Sequence, residues 1–194
     1  IKSIFNWKVN GTPIAVLNMP FERINDTATN NAWDYSGKGN NASESGSIVW
    51  NSTGGYDGKG AYLFDGINDY LSILSSSNII SGTKDFAIVE RVKFNSVAGV
   101  KNFLAYCSNG PCTGNTQFFF NVNSLSVWDG AYVLQNTWNP SAGVWYHVVF
   151  TREGNLWKTY VDGSQIGSTV TSAQSLSAPA SNYRIGAVGV GTDQ

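Results

Sequence analysis

Short runs rich in Val, Ile, Phe, Tyr and Trp recur along the chain, separated by clusters of Gly, Asn, Asp and Ser, and no stretch sustains a helical period. That is the pattern of strands and turns. It predicts strands at 14–21 (IAVLNMPF), 61–65, 70–74, 86–94 (FAIVERVKF), 102–107, 117–122, 124–129, 144–153, 156–163 and 183–189. In FAIVERVKF, Phe86, Ile88, Glu90, Val92 and Phe94 alternate with Ala87, Val89, Arg91 and Lys93. The second set ends in charge, so the first is expected to face the core, with Glu90 the exception that needs a partner or a place near the rim. Two hairpins are expected, one turning at Glu153-Gly154-Asn155 and one at Asp162-Gly163, a type I′ dipeptide. Residues 22–60 are polar, glycine-rich and poor in alternation, yet Trp33, Tyr35, Trp50 and Tyr56 punctuate them and need somewhere to pack. They read as a long ordered loop with a few short strands.

The composition narrows the function classes. The 194 residues suit one large all-β sandwich or one and a half smaller domains, and 7 Trp, 9 Tyr and 10 Phe give a core ample filling. Charged residues are only 13% and the net charge is −1, which leaves no electrostatic footprint for nucleic acid or an anionic membrane. No apolar run approaches the ~20 residues that span a bilayer, so no transmembrane segment is expected. The chain opens at Ile1 with no cleavable signal, as after signal removal or in a piece of a longer polypeptide. A surface of Ser, Thr, Asn and Gly is polar without being charged, as in secreted and cell-surface proteins. Four Asn-x-Ser/Thr sequons, at Asn10, Asn25, Asn41 and Asn51, crowd into the first 53 residues and favour a glycosylated extracellular surface. Cys107 and Cys112 flank Ser-Asn-Gly-Pro, a turn sequence. A disulfide closing that loop fits an oxidising compartment. A zinc site would need about four ligands, and His147 is the only histidine.

The order of motifs carries a resemblance. VLNMPFE, DYSGKGNNA, GAYLFDGINDYLSI, KDFAIVERVKF, VWYHVVFTREGNLWKTYVDG and YRIGAVG follow one another as in the laminin-G-like, concanavalin-A-like jelly-roll domains of large bacterial and archaeal surface proteins. The resemblance covers about residues 13–190 and implies a sandwich of two antiparallel sheets, an antiparallel jelly roll. Two departures accompany it. Members close with a strand that returns beside the first one, whereas this chain stops at GVGTDQ. Residues 1–12 precede the usual start and resemble the last strand of an upstream immunoglobulin-like domain. The expected organisation is an N-terminal strand or linker over 1–12 and a jelly roll over 13–194 without its closing strand.

Candidate chemistry lies first in FDGIND, where Asp65 and Asp69 bracket a tight turn. Two readings stand side by side. The aspartates cap backbone N–H groups and bend the chain, with Gly66 supplying positive φ. Alternatively, Asp34, Asp65, Asn68 and Asp69 supply hard oxygens to a structural calcium ion, which takes six to eight of them; Asp34 lies in a loop that the family often uses near this turn. Catalysis has little support. The Glu-x-Asp-x-x-Glu pattern of related glycosidases is absent, and none of the four glutamates (Glu22, Glu44, Glu90, Glu153) has a carboxylate two residues away. His147 in VWYHVVF reads as a core or strand-surface histidine. Trp145 and Trp157 alternate with apolar neighbours and read as core. Trp128 and Trp138 flank turns near Asn, Asp and Gln, as sugar-stacking aromatics do, or cap the ends of the sandwich.

The expected function is a non-catalytic extracellular adhesion or binding module with glycan or a surface protein as its ligand. The alternative is a structural subunit of a filament or surface layer in which copies of the chain exchange strands or termini.

Overall fold

The computed structural model describes residues 7–22, 31–75, 79–107 and 114–187. The chain opens with a hairpin of β1 (Lys8–Val9) and β2 (Thr12–Pro13), turned by Asn10 and Gly11 in left-handed conformation. The long polar stretch contributes β3 (Asn31–Ala32), β4 (Ala42–Ser45) and β5 (Val49–Asn51), and β6 (Ala61–Leu63) follows it. Longer strands come next: β7 (Tyr70–Ile73), β8 (Phe86–Lys93), β9 (Val100–Cys107), β10 (Asn115–Asn121), β11 (Ser124–Asp129), β12 (Tyr132–Thr137), β13 (Trp145–Glu153), β14 (Leu156–Val161), β15 (Ser164–Thr171) and β16 (Tyr183–Ile185). No α-helix occurs among the described residues.

These strands form the expected antiparallel sandwich. One sheet runs β12-β11-β10-β9-β16-β7-β4-β3 and the other β15-β14-β13-β8, with β5-β6 and β1-β2 as separate ribbons. Both expected hairpins form. Asp162 and Gly163, at φ 48° and 84°, make the turn between β14 and β15; a type I′ turn needs positive φ at both central positions, which an Asp-Gly pair supplies at least cost.

The core lies between the two sheets and is largely aromatic. Phe150 of β13 meets Phe103 of β9 and Phe118 of β10 at 5.6 and 5.7 Å between ring centroids, and Phe86 of β8 meets Trp157 of β14 at 5.6 Å. Truncating a buried phenylalanine here to alanine costs about 3–5 kcal/mol. Arg152 is buried in this layer and hydrogen-bonded. Its Nε donates to the Gly154 carbonyl, its Nη1 to the Gly82 carbonyl, and its guanidinium lies over the Trp157 ring.

Three expectations are corrected. The strand predicted at 14–21 does not form: pairing stops at Pro13, and side chains and loop groups hold the backbone from Ile14 to Glu22 instead. Asn18 N donates to Asp34 Oδ1, Tyr35 N to the Asn18 carbonyl, Asn40 Nδ2 to the Val16 carbonyl and Trp50 Nε1 to the Phe21 carbonyl. Apolar content alone does not make a strand where no ladder neighbour satisfies its polar groups. Gly60 permits this crossing, since a Cβ there would lie 2.0 Å from the Phe21 carbonyl oxygen. Trp145 is not core: its register opposite Lys93 puts it on the outer face of the smaller sheet, where it meets Tyr56 edge to face. Trp138 is not presented to solvent. It is 8% exposed and packs on Phe94, Phe120 and Tyr146.

Candidate functional site

The outer face of the larger sheet gathers the best-developed polar and aromatic surface. Strand registers place Ser43 opposite Ser72, Ser72 opposite Arg184, Arg184 opposite Ala105, Ala105 opposite Gln117, Gln117 opposite Trp128, and Trp128 opposite Tyr132. Paired residues share a face, so these positions form one transverse row across seven strands. A neighbouring row runs through Asn102, Phe119, Ser126 and Gln135, of which Gln135 is exposed and the other three are buried. The core residues Phe118, Val127 and Leu134 alternate with these positions and point the other way.

One end of the row is aromatic. Trp128 and Tyr132 meet edge to face with centroids 5.0 Å apart, and Tyr132, half exposed, stacks on Phe119 at 6.4 Å. The other end is hydrogen-bonding and cationic. Asn182 Nδ2 donates to Ser72 Oγ, and the Arg184 guanidinium lies 4.3 Å from the Tyr70 ring centroid. Between them, Gln117 Nε2 donates to Asn115 Oδ1, which aligns that amide along the surface. In the second row Asn102 is buried with neither its amide oxygen nor its amide nitrogen bonded. Of this surface, Trp128 alone is an expected ligand-binding residue. Gln117, Tyr132 and Arg184 lie far apart in the chain, and only strand register unites them.

The aspartates are bonded to the chain itself. Asp34 is buried and accepts four hydrogen bonds: Asn18 N and Ser36 N on Oδ1, and Ser36 Oγ and Asn40 N on Oδ2, at 2.7–2.9 Å. A carboxylate offers about four lone-pair sites, so this one is filled. Asp69, also buried, accepts from Ser47 N and Asp65 N. Asp65 Oδ1 accepts from Ile67 N and Asn68 N; the Ile67 bond, foremost, holds the Asp65 carboxyl below its ordinary range. Asn68 is exposed. The oxygens thus face N–H donors, which favours the chain-bending reading of this turn, and no group of three or more His, Cys, Asp or Glu suited to a metal occurs among the described residues.

The remaining candidates are scattered. Asn10 sits exposed in the β1–β2 turn, Asn51 is exposed with Oδ1 bonded to Thr53 N, and Asn41 Oδ1 accepts from Asp34 N. Asn25 and Cys112 lie outside the described residues; Cys107 ends β9, buried. His147 lies on the outer face of the smaller sheet opposite Arg91, with its backbone N–H donating to Asp162 Oδ1. Glu90 faces inward with no ion pair or hydrogen bond to its carboxyl among the described residues, and burial pushes that carboxyl up to about 8.

Comparison with known proteins agrees with this architecture. Residues 64–194 match the concanavalin A-like lectin/glucanases superfamily in its laminin-G form, and the chain belongs to that family. No curated protein matches it. Among solved structures, domain 4 of AbnA, a GH43 extracellular arabinanase from Geobacillus stearothermophilus in complex with arabinotriose, is 14% identical with a TM-score of 0.55, covering 78% of this chain and 76% of that one. Trypanosoma rangeli sialidase in complex with the inhibitor DANA is 18% identical with a TM-score of 0.56, covering 87% of this chain and 27% of the sialidase. At these identities the likeness is one of fold.

Proposed function

We propose that this member of the concanavalin A-like superfamily is a non-catalytic extracellular module that binds a glycan on the open face of its larger sheet. The observation that carries this reading is the row from Trp128 and Tyr132 through Gln117 to Arg184. Aromatic rings with an apolar face and a polar rim suit the alternating C–H and O–H surfaces of a sugar, and amide, hydroxyl and guanidinium groups beside them supply orientation. The fold shared with the arabinanase domain solved with arabinotriose supports the ligand class. The non-catalytic part rests on the row itself: none of its positions is a carboxylate, and glycoside hydrolysis ordinarily needs two. The sparsely charged surface and the exposed sequons at Asn10 and Asn51 support an extracellular setting.

The test is a panel of plant, bacterial and host oligosaccharides screened against the chain and against a Trp128→Ala, Tyr132→Ala double variant. Saturable binding by the parent and its loss in the folded double variant are expected. Equal binding by both proteins removes the proposed face, and no binding across the panel removes the ligand class.

A further inference from the structure

The row on the larger sheet carries its two strongest recognition elements at separate points. Tyr132 lies on β12, the edge strand, and its half-exposed ring stands beside Trp128. Arg184 lies on β16, with β11, β10 and β9 between. Neighbouring strands lie about 4.8 Å apart, so the four steps set the ring and the cation roughly 19 Å apart along the row. Between them, Gln117 Nε2 is turned to Asn115 Oδ1, which leaves Oε1 to accept from a ligand hydroxyl. Ala105 is buried and carries only a methyl group, so no side chain of β9 rises between Gln117 and Arg184 in this row. Tyr70, two residues from Ser72 on β7, shares the outer face and seats the Arg184 guanidinium 4.3 Å from its ring centroid. A planar cation lying on a ring keeps its N–H edge free, and that edge meets a carboxylate through two parallel hydrogen bonds. The ion pair printed in the described residues joins Lys59 to Asp57 and leaves Arg184 without a carboxylate of its own. Beyond Arg184 the row reaches Ser72, whose hydroxyl accepts from Asn182, and then Ser43, neither of them aromatic or charged.

We propose that the row holds about five consecutive units of a linear, uronic-acid-bearing polysaccharide laid across the strands, one unit against Tyr132 and Trp128 and a carboxylated unit on Arg184. This deepens the glycan-binding reading and rests on it. A sugar unit in an extended chain advances by about one strand spacing, so a chain crossing from β12 to β16 sets roughly one unit over each strand. A chain running along the strands would instead pass from Trp128 to Ser126, which is buried, and would meet no cation. Two anchors joined by a stiff spacer act as a bivalent site, and their gain appears only when the ligand spans both. The row is exposed at both extremes, at Tyr132 and Ser43, so a polymer has room to run on past either end. Interior stretches of a chain therefore fit as well as its termini.

The experiment titrates the full chain by calorimetry with linear oligouronates of two to six units, one mannuronate series and one galacturonate series. Neutral xylo-oligosaccharides of the same lengths are the control. Each titration is repeated with Tyr132→Ala and with Arg184→Gln, both at partly exposed positions. In at least one oligouronate series, affinity should rise about tenfold or more between three and five units and then level off. Either substitution should weaken the pentamer about tenfold, while the trimer loses affinity with at most one of them. Affinity already level at three units, or equal losses by trimer and pentamer with both variants, overturns the proposal and leaves the glycan-binding reading standing. Binding of the neutral series alone does the same. Absence of binding by every oligosaccharide overturns both.

Discussion

Asn136 of β12 and Thr159 of β14 bond across the sandwich, the Asn136 Nδ2 donating to Thr159 Oγ1 at 3.0 Å with both residues buried. Thr159 passes the bond on to the Ile166 carbonyl at 3.1 Å, and Asn136 Nδ2 also reaches the Ser168 carbonyl at 3.4 Å. Two sheets held mainly by apolar contact thus share one satisfied polar chain, which fixes how their ends align.

Thr159→Val removes that acceptor while keeping the shape, and leaves the Asn136 amide with only its long bond. The expected loss is about 1–3 kcal/mol, read as a fall in melting temperature of about 2–4 °C per kcal/mol for a chain of this size. Adding Asn136→Leu should restore part of it, because the orphaned donor goes too. A single variant that melts like the parent would show that the bond contributes nothing to the alignment.

The filled carboxylate of Asp34 makes a second forecast. Asp34→Ala frees Asn18 N, Ser36 N and Asn40 N together, and hydrogen bonds to a charged group are worth about 1.5–3 kcal/mol each at most. A clear drop in melting temperature is expected. Calcium should not rescue the variant, and chelation should leave the melting temperature of the parent unchanged. A fall on chelation would instead assign an ion to the Asp65–Asp69 turn.

Much of this fold is legible in the sequence, and the reason is local. A two-residue period puts alternate side chains on opposite faces, so the inward set of β8 and the outward Arg91 and Lys93 can be read directly. Asp162-Gly163 names its own turn. Illegible are the features set by partners distant in the chain. VLNMPF has the composition of a strand but no ladder partner among the described residues. Trp145 sits among apolar residues but lies opposite Lys93, and that pairing, not its neighbours, decides its face. β12 escapes notice because Gln135, Asn136 and Thr137 are polar for reasons that only β14 and solvent explain. The binding row is the extreme case, since Gln117, Trp128 and Arg184 meet through register alone.

Glu90 yields a pH dependence. Its carboxyl is raised by burial from an ordinary 4.5 to about 8, so the native state holds a proton that the unfolded chain releases. Stability is therefore full below about pH 4.5 and declines as pH rises toward 8, by up to about 1.4 kcal/mol per pH unit. Urea melts at pH 5 and pH 8 should differ in that direction, and Glu90→Gln should flatten the difference. A stability that rises over this range, with the glutamine variant following the parent, would show that Glu90 ionises freely in the folded chain.

The expected Cys107–Cys112 bridge is open to direct measurement. Peptide mass mapping of non-reduced material should find the two linked, and reduction should cost roughly 2–3 kcal/mol for so short a loop. Two free thiols in native material would remove both the bridge and one support for an oxidising compartment.

Arg184 makes the glycan reading specific. It stands in the binding row between Ser72 and Ala105, its guanidinium over the Tyr70 ring and no carboxylate beside it among the described residues. An outward cation on a recognition face discriminates between sugars that carry a carboxylate and those that do not, since a guanidinium pairs two oxygens at once. Arg184→Gln should fold normally, because a cation–π contact between two partly exposed residues contributes only about 0.5–1 kcal/mol. Its affinity for a uronic-acid oligosaccharide should fall about tenfold, near 1.4 kcal/mol, and the salt dependence of binding should fall with it. Affinity for a neutral oligosaccharide of the same length should stay. Equal losses for both ligands would mean that Arg184 merely shapes the face, and no loss for either would confine the sugar to the Trp128–Tyr132 end of the row.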